Sequence, residues 1–268
     1  MTQVMTSVVR EWNVFATMVR RELLKLVSER TRVAGLVLQP LLLWLIFSFG
    51  FDSGFGAQGQ EASAGMSFRT YFFPGALLMT ILFGCVFSSM TIIEDRAGGF
   101  LQAALVTPAR TLTVVAGKSA GVMIVTLIQV AILLALGWIL LPGEVEIHVI
   151  RLAVWSVASC FCLIPINLGI ALALNSTQSF HAFMGIALFP LWALSGAIFP
   201  LKGAGLEVVA MMNPLTYMVE GLRTGFCCAA PHARDFFWVS LEISVIVALG
   251  IAGLVFANWV MRRTSHTL

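Results

Sequence analysis

Six runs of about twenty apolar residues fill most of this 268-residue chain, and they fix its solvent before any motif is considered. A helix needs about 20 residues to cross about 30 Å of hydrocarbon. The runs at about 33–51, 71–93, 119–141, 152–174, 180–201 and 236–261 meet that length. Hydrophobic residues make up 59% of the chain and charged residues 11%, where a soluble domain carries about 25% charge. The expected fold is an all-α polytopic membrane protein with six transmembrane helices.

The charges that remain decide orientation. On one side of the alternating loops stand Arg10, Arg20, Arg21, Lys25, Arg30, Arg32, Arg96, Arg110, Lys118, Arg262 and Arg263; on the other stand Arg69, Arg151, Lys202, Arg223 and Arg234. Eleven against five places both termini in the cytoplasm of a protein in the cell's inner (cytoplasmic) membrane. The net charge of +3 is thus a topology signal, with no dense basic patch for nucleic acid. Residues rich in Arg and Glu precede the first run, so no cleavable signal peptide is expected.

Residues 1–32 form a separate amphipathic unit ahead of a transmembrane domain at 33–268. Val8, Trp12, Phe15, Val19, Leu23 and Leu26 recur at helical steps, with Arg10, Asn13, Thr17, Arg21, Lys25 and Ser28 between them. Such a helix suits the cytoplasmic membrane interface; packing on a soluble partner is the alternative. After the first span, the Gly- and Ser-rich stretch at 52–68 reads as an irregular external connection.

The stretch TIIEDRAGGFLQAALVTPAR, Thr91 to Arg110, interrupts two apolar runs with an acid pair, an arginine and two glycines. A charge at the bilayer centre costs about 2.5 to 3.5 kcal/mol, so Glu94, Asp95 and Arg96 mark the cytoplasmic end of the second span. Phe100, Leu101, Ala104 and Leu105 share one helical face before Pro108. A loop needs no apolar face, so this short helix is expected to dock on a partner. Just downstream, Gly117-Lys118-Ser119 has the ending of a phosphate-binding loop, but Leu112 stands where its first glycine belongs. Gly117 and Gly121 instead form a small-xxx-small pair for close helix approach.

Within the spans, Gln129 and Asn167 are expected to make interhelical hydrogen bonds, and Cys85, Cys160 and Cys162 to pack as small apolar groups. No metal-ligand spacing appears, and Cys227 with Cys228 leaves a bridge between subunits open. On the external side, Leu206–Met212 and Leu215–Phe226 read as two short apolar helices parted at Asn213-Pro214. They are expected to dip back into the membrane, with Glu220 and Arg223 paired three residues apart.

The interior lacks an engine. Glu242 lies near the external end of its span, which argues against an ion-coupled carrier. His181 and Ser195 are fourteen residues apart on one helix, about 21 Å, too far to act together as base and nucleophile. No enzyme is indicated.

The order of elements, with YFFPGALLMTILF, IIEDRAGGFLQAALVTPARTLTVVAGKSAG and NPLTYMVEGLR, resembles the membrane subunit of a type-2 ATP-binding-cassette transporter, the group of drug and polysaccharide exporters. The resemblance covers nearly the whole chain. It implies a coupling helix in which Glu94, Asp95, Arg96, Gly98, Gly99, Phe100, Leu101, Leu105, Thr107 and Pro108 meet an ATPase subunit. Family members more often carry an acid where Ala97 stands, which removes one salt bridge to that subunit. The N-terminal helix resembles the family's connecting helix, and the stretch around Asn213, Pro214, Glu220 and Arg223 its re-entrant external gate.

The resemblance further implies two ATPase copies holding ATP and Mg, with no cofactor in this chain, and a second permease copy, expected as a homodimer. A path lined by the second and fifth spans would include Phe73, Leu77, Phe180, Met184 and Leu188. A Phe- and Met-rich wall suits an amphipathic drug-like or lipid-like cargo. With only two Tyr, a polysaccharide or lipid-linked glycan is the second choice, and a membrane scaffold or enzyme independent of an ATPase the third.

Overall fold

The computed structural model describes residues 2–58, 67–102, 109–140, 147–174, 176–199, 206–226 and 236–265. Among them it is a helical bundle with one isolated bridge pair, Ile147 with Phe226. In hydrocarbon only a helix or a closed barrel pairs every backbone group, and the sequence's long unpatterned apolar runs settle on the former. In chain order the helices are α1 (Thr2–Ser28), α2 (Arg30–Gln58), α3 (Phe68–Ala97), α4 (Thr111–Leu140), α5 (Val149–Ala173), α6 (Thr177–Ala197), α7 (Leu206–Met212), α8 (Pro214–Arg223) and α9 (Phe236–Ser265). Six of them, all but α1, α7 and α8, are long and apolar enough to cross a membrane.

Helix α3 is the axis of the bundle. Of its 30 residues 23 are buried, and it packs against α2, α4, α5, α6 and α8. Ser67 caps it by accepting from the Thr70 amide. Aromatic residues fill one end of the bundle. The Trp44 indole donates to the Arg69 carbonyl at 2.9 Å and meets Phe73 edge-on, with ring centres 5.2 Å apart. Gly137 on α4 gives the Phe73 ring its space. The outer helices keep apolar stripes free: Leu38, Leu42 and Ile46 on α2, and Ile124, Ile128 and Ile132 on α4, are exposed. Spacing by four holds each stripe on one face, where lipid is a sufficient neighbour.

Two expectations are corrected. The segment after the first span stays helical through Gln58, so part of the expected irregular connection extends α2. The helix that carries the third apolar run begins at Thr111, eight residues ahead of that run, and this added stretch brings Lys118 inside the bundle, level with Asp95. Gln129 and Asn167 do not join helices. Asn167 bonds back to the Leu163 carbonyl of its own helix, and the Gln129 amide has no partner among the described residues, lying over Gly84 where α3 offers no side chain.

Helix α6 departs from regular geometry twice, with π-helical turns at Met184–Leu188 and Ala193–Ala197 on either side of Pro190. Proline lacks an amide hydrogen and crowds the carbonyl four residues back, and wider turns relieve both. Within the second of these turns Gly196 leaves helical geometry, at φ 77°.

Helix α1 lies along α4. Gly117 and Gly121 make this possible: a Cβ on Gly117 would sit 3.1 Å from the Phe15 backbone, and one on Gly121 2.9 Å from the Glu22 Cβ. Substituting Gly121 with leucine is expected to cost about 1–3 kcal/mol by overpacking. Hydrogen exchange over residues 14–25 would then quicken by about tenfold as α1 lifts away.

Candidate functional site

The last turn of α3 carries charges on three different faces, because successive helical residues are about 100° apart. Ile92 and Ile93 are buried beneath it. Glu94 faces outward, Asp95 is 7% exposed, and Arg96 lies between. The Arg96 guanidinium donates to the Leu172 carbonyl at 3.0 Å and fastens α3 to the end of α5.

Asp95 is held by three cations. Arg21 grips it with two nitrogens, at 2.6 and 2.5 Å, while the Lys25 and Lys118 ammonium groups each stand 3.4 Å away. Lys118 is 4% exposed and donates to Glu22 at 2.8 Å and to the Thr91 hydroxyl at 2.9 Å. Glu22, 5% exposed, also faces Lys25 at 3.7 Å. The cluster satisfies each buried charge with an opposite one, as burial of ions demands. On α1, the Asp95 hydrogen bond pushes the Arg21 guanidinium above its ordinary value. Burial pulls the Lys25 ammonium below its own, and repulsion from Lys118 adds to this.

Beyond α3 the chain reverses. The Gly98 amide donates to the Glu94 carbonyl at 2.8 Å, and Gly99 takes φ 75°, a conformation that costs other residues about a kcal/mol or more. Phe100 then lies under the Arg21 guanidinium, 3.7 Å from its ring centre, and Leu101 is buried among Met18, Val115 and Met261. A second clasp closes the rim. Glu11 of α1 accepts the Arg110 amide at 3.1 Å and the Thr113 hydroxyl at 2.5 Å, and the latter bond lowers the carboxyl's pKa. Thr111 donates to Asn258 of α9 at 2.8 Å.

Of the residues expected at a docking surface, Glu94 and Gly98 are exposed, and Arg96, Gly99 and Phe100 are partly so. Asp95 and Leu101 instead face the bundle. Leu105, Thr107 and Pro108 lie outside the described residues, as do Cys227 and Cys228. The basic face of α1 does not simply point to water: Arg21 and Lys25 turn toward α3, while Val8 and Trp12 are exposed. Four participants, Arg21, Glu22, Lys25 and Lys118, had no assigned site role from sequence. The available signal was a lysine between the two glycines of an apolar helix, 96 residues from its partner acid.

The residues expected to line a path lie mostly inside the chain. Phe73, Leu77 and Phe180 are buried, Met184 is 9% exposed, and Leu188 is half-buried. From Tyr71 to Ile93, only Phe83, Phe87 and Ser88 escape full burial. Phe87 meets the exposed His181 edge-on, with ring centres 6.2 Å apart. The Ser195 hydroxyl donates to the Trp192 carbonyl at 2.6 Å. Among the described residues, no group of three His, Cys, Asp or Glu is placed to hold a metal ion.

At the opposite end, α7 and α8 meet at Asn213, whose side chain accepts from the Leu215 amide and donates to the Leu191 carbonyl at 2.6 Å. Pro214 opens α8, where its missing N–H has no helical partner to lose. Glu220 and Arg223 pair at 2.5 Å. Arg223 also stacks 4.1 Å over the Tyr71 ring and donates to the Gly196 carbonyl at 2.7 Å, which the Tyr71 hydroxyl shares at 3.1 Å. This end therefore joins α8 to α3 and α6.

Comparison with known proteins bears on both ends. The family described as ABC-2 type transporter matches residues 13–227. A protein named as transport permease ycf38 in Cyanophora paradoxa is 28% identical over 237 residues, covering 82% of this chain and 78% of that protein. Its namesake in Pyropia yezoensis is 28% identical over 200 residues, covering 72% and 66%. The Escherichia coli K12 protein named as multidrug ABC transporter permease YbhR is 25% identical over 185 residues, or 66% of this chain and 48% of that protein. With six apolar helices and a family match running from α1 through the Arg223 cluster, this multi-pass membrane chain belongs to the ABC-2 type transporter family and is the permease of an ABC transporter.

Proposed function

We propose that the chain is the membrane half of an ATP-driven exporter, moving an amphipathic drug-like or lipid-like molecule out of the cytoplasm. The observation that carries the reading is the end of α3, where outward-facing Glu94 and Gly98 and the half-buried Phe100 sit on an anchored base of Asp95, Arg96 and Leu101. A surface built this way can take a push without yielding. The pushing partner is a separate ATPase subunit, present in two copies and holding ATP and Mg. Two permease copies, as a homodimer, complete the assembly in the inner membrane. The positive-inside count supports a cytoplasmic location for both termini and for the α3 end.

Phe83, Phe87 and His181 are the proposed cargo contacts, together with the exposed Ile186 and Phe189 of α6. Aromatic rings and aliphatic chains bind apolar bodies of varied shape. The relative named as a multidrug permease agrees with such cargo. A glycan exporter would instead respond to glycolipid.

The test separates docking from folding. Glu94→Arg reverses an exposed charge and is expected to lower ATPase co-purification while leaving the melting temperature unchanged. Leu101→Asp buries a charge and is expected to lower both. Unchanged co-purification with both variants would refute the docking role. For cargo, ATP hydrolysis by the complex is expected to rise with a hydrophobic cation such as ethidium and not with glycolipid, and Phe83→Ala with Phe87→Ala should abolish that rise.

A further inference from the structure

We propose that Lys118 is the positioning residue that makes α1, α3 and α4 move as one body when the coupling surface is pushed, an inference that rests on the ATPase-driven reading above. Three bonds converge on its ammonium group, from the two neighbouring elements it must hold. Glu22 belongs to α1, at 2.8 Å; Thr91 and Asp95 belong to α3, at 2.9 and 3.4 Å; Lys118 itself belongs to α4.

The stem of the side chain lies where Gly117 and Gly121 bring α1 and α4 into backbone contact, so the charge sits in the seam between two helices. Arg21 and Lys25 complete the neighbourhood by holding Asp95 from α1. Lys118 differs from both in exposure: its side chain is 5% exposed, against 27% for Arg21 and 22% for Lys25. Electrostatic attraction is strongest where water is excluded, and three directed bonds fix position as well as charge. A displacement of Asp95, one residue from the exposed Glu94, is therefore passed to α4 through Lys118 instead of being absorbed by sliding.

A simple truncation would strand Glu22 and confuse stability with coupling. The test is therefore the pair Glu22→Gln with Lys118→Met, which removes the charge and its buried partner together. Spin labels at Thr17 on α1 and Ile124 on α4, both exposed, report the distance between the two helices in the full permease–ATPase complex. In the otherwise native chain, the distance is expected to be the same without nucleotide and with ATP and vanadate. In the double variant it should broaden or shift on trapping, and stimulation of ATP hydrolysis should fall by about tenfold while the melting temperature stays near the native value. A native distance that changes on trapping overturns the proposal. So does a double variant that behaves as the native chain, since the cluster would then be only a fold contact. Failure of an ATPase to co-purify with the native chain would strike the exporter reading itself, a different result from either.

Discussion

Replacing Asp95 with alanine is expected to lower the melting temperature of the purified protein by about 10 °C, while the same change at Glu94 leaves it nearly unmoved. The two residues adjoin in sequence but stand on different faces of α3. Asp95 is the acceptor for Arg21, Lys25 and Lys118, and without it three cations share Glu22 alone. Removing one side of a buried ion pair costs about 3–5 kcal/mol, since the remaining charge stays out of water without compensation. For a chain of this size that corresponds to a fall of about 10 °C. Glu94 is exposed, and exposed substitutions usually change stability by about 0.5 kcal/mol or less. Removing Arg21 together with Asp95 should recover part of the loss, because it takes away the most tightly bound of the stranded cations. Equal melting temperatures for the Asp95 and Glu94 variants would show that the cluster does not hold this end of the bundle together.

Gly75→Val is expected to have a comparable effect at the other end. A Cβ at Gly75 would lie 2.7 Å from the Ala197 carbonyl oxygen and 2.9 Å from the Ala197 Cβ. One of these obstacles is backbone, so α3 and α6 must part. The Gly75 carbonyl accepts the Trp192 indole at 3.1 Å, and the neighbouring Gly196 carbonyl accepts Arg223 and Tyr71. Overpacking costs about 1–3 kcal/mol, and each lost hydrogen bond adds about 1 kcal/mol. Loss of the Trp192 bond is readable as a red shift in the protein's tryptophan emission as that indole meets water. Ala197→Gly in the same chain should relieve the side-chain contact and only part of the loss, since the carbonyl remains. A Gly75→Val protein with native melting and native emission would mean that the two helices have slack at this crossing.

Much of this architecture was legible in the sequence because its solvent leaves few choices. Long apolar runs must be helices, so span number and approximate position followed from counting. The close approach at Gly117 and Gly121 and the Glu220–Arg223 pair were legible for a similar reason, since each depends on spacing within one helix. What could not be read was any fact that depends on two segments distant in the chain. Asp95 looked like a surface acid because only its neighbours Glu94 and Arg96 were in view; its partners come from 74, 70 and 23 residues away. Phe73 and Leu77 looked like wall residues because periodicity marks an apolar face without saying whether another helix covers it. Here α3 is covered almost throughout. Lys118 looked like a loop cation ahead of the third span for the same reason: its acid Glu22 is 96 residues away, and the side chain stands inside the bundle, level with Asp95.

The two wide turns of α6 carry a consequence for how this helix can respond to load. A π-turn holds one residue more than the α-helical turn it replaces, so the first stores a surplus residue within a continuous stretch of helix, while the second runs into the break at Gly196. If one such turn tightened, everything on its far side would rotate by about 100°. That rotation would carry Ile186 or Phe189 from one neighbour to another without breaking the helix. Pro190 keeps the surplus near the middle of the span, and Gly196 kinks the chain within the second turn. Beside an axis as tightly enclosed as α3, this is a crossing whose exposed side chains can be re-aimed at small cost in packing.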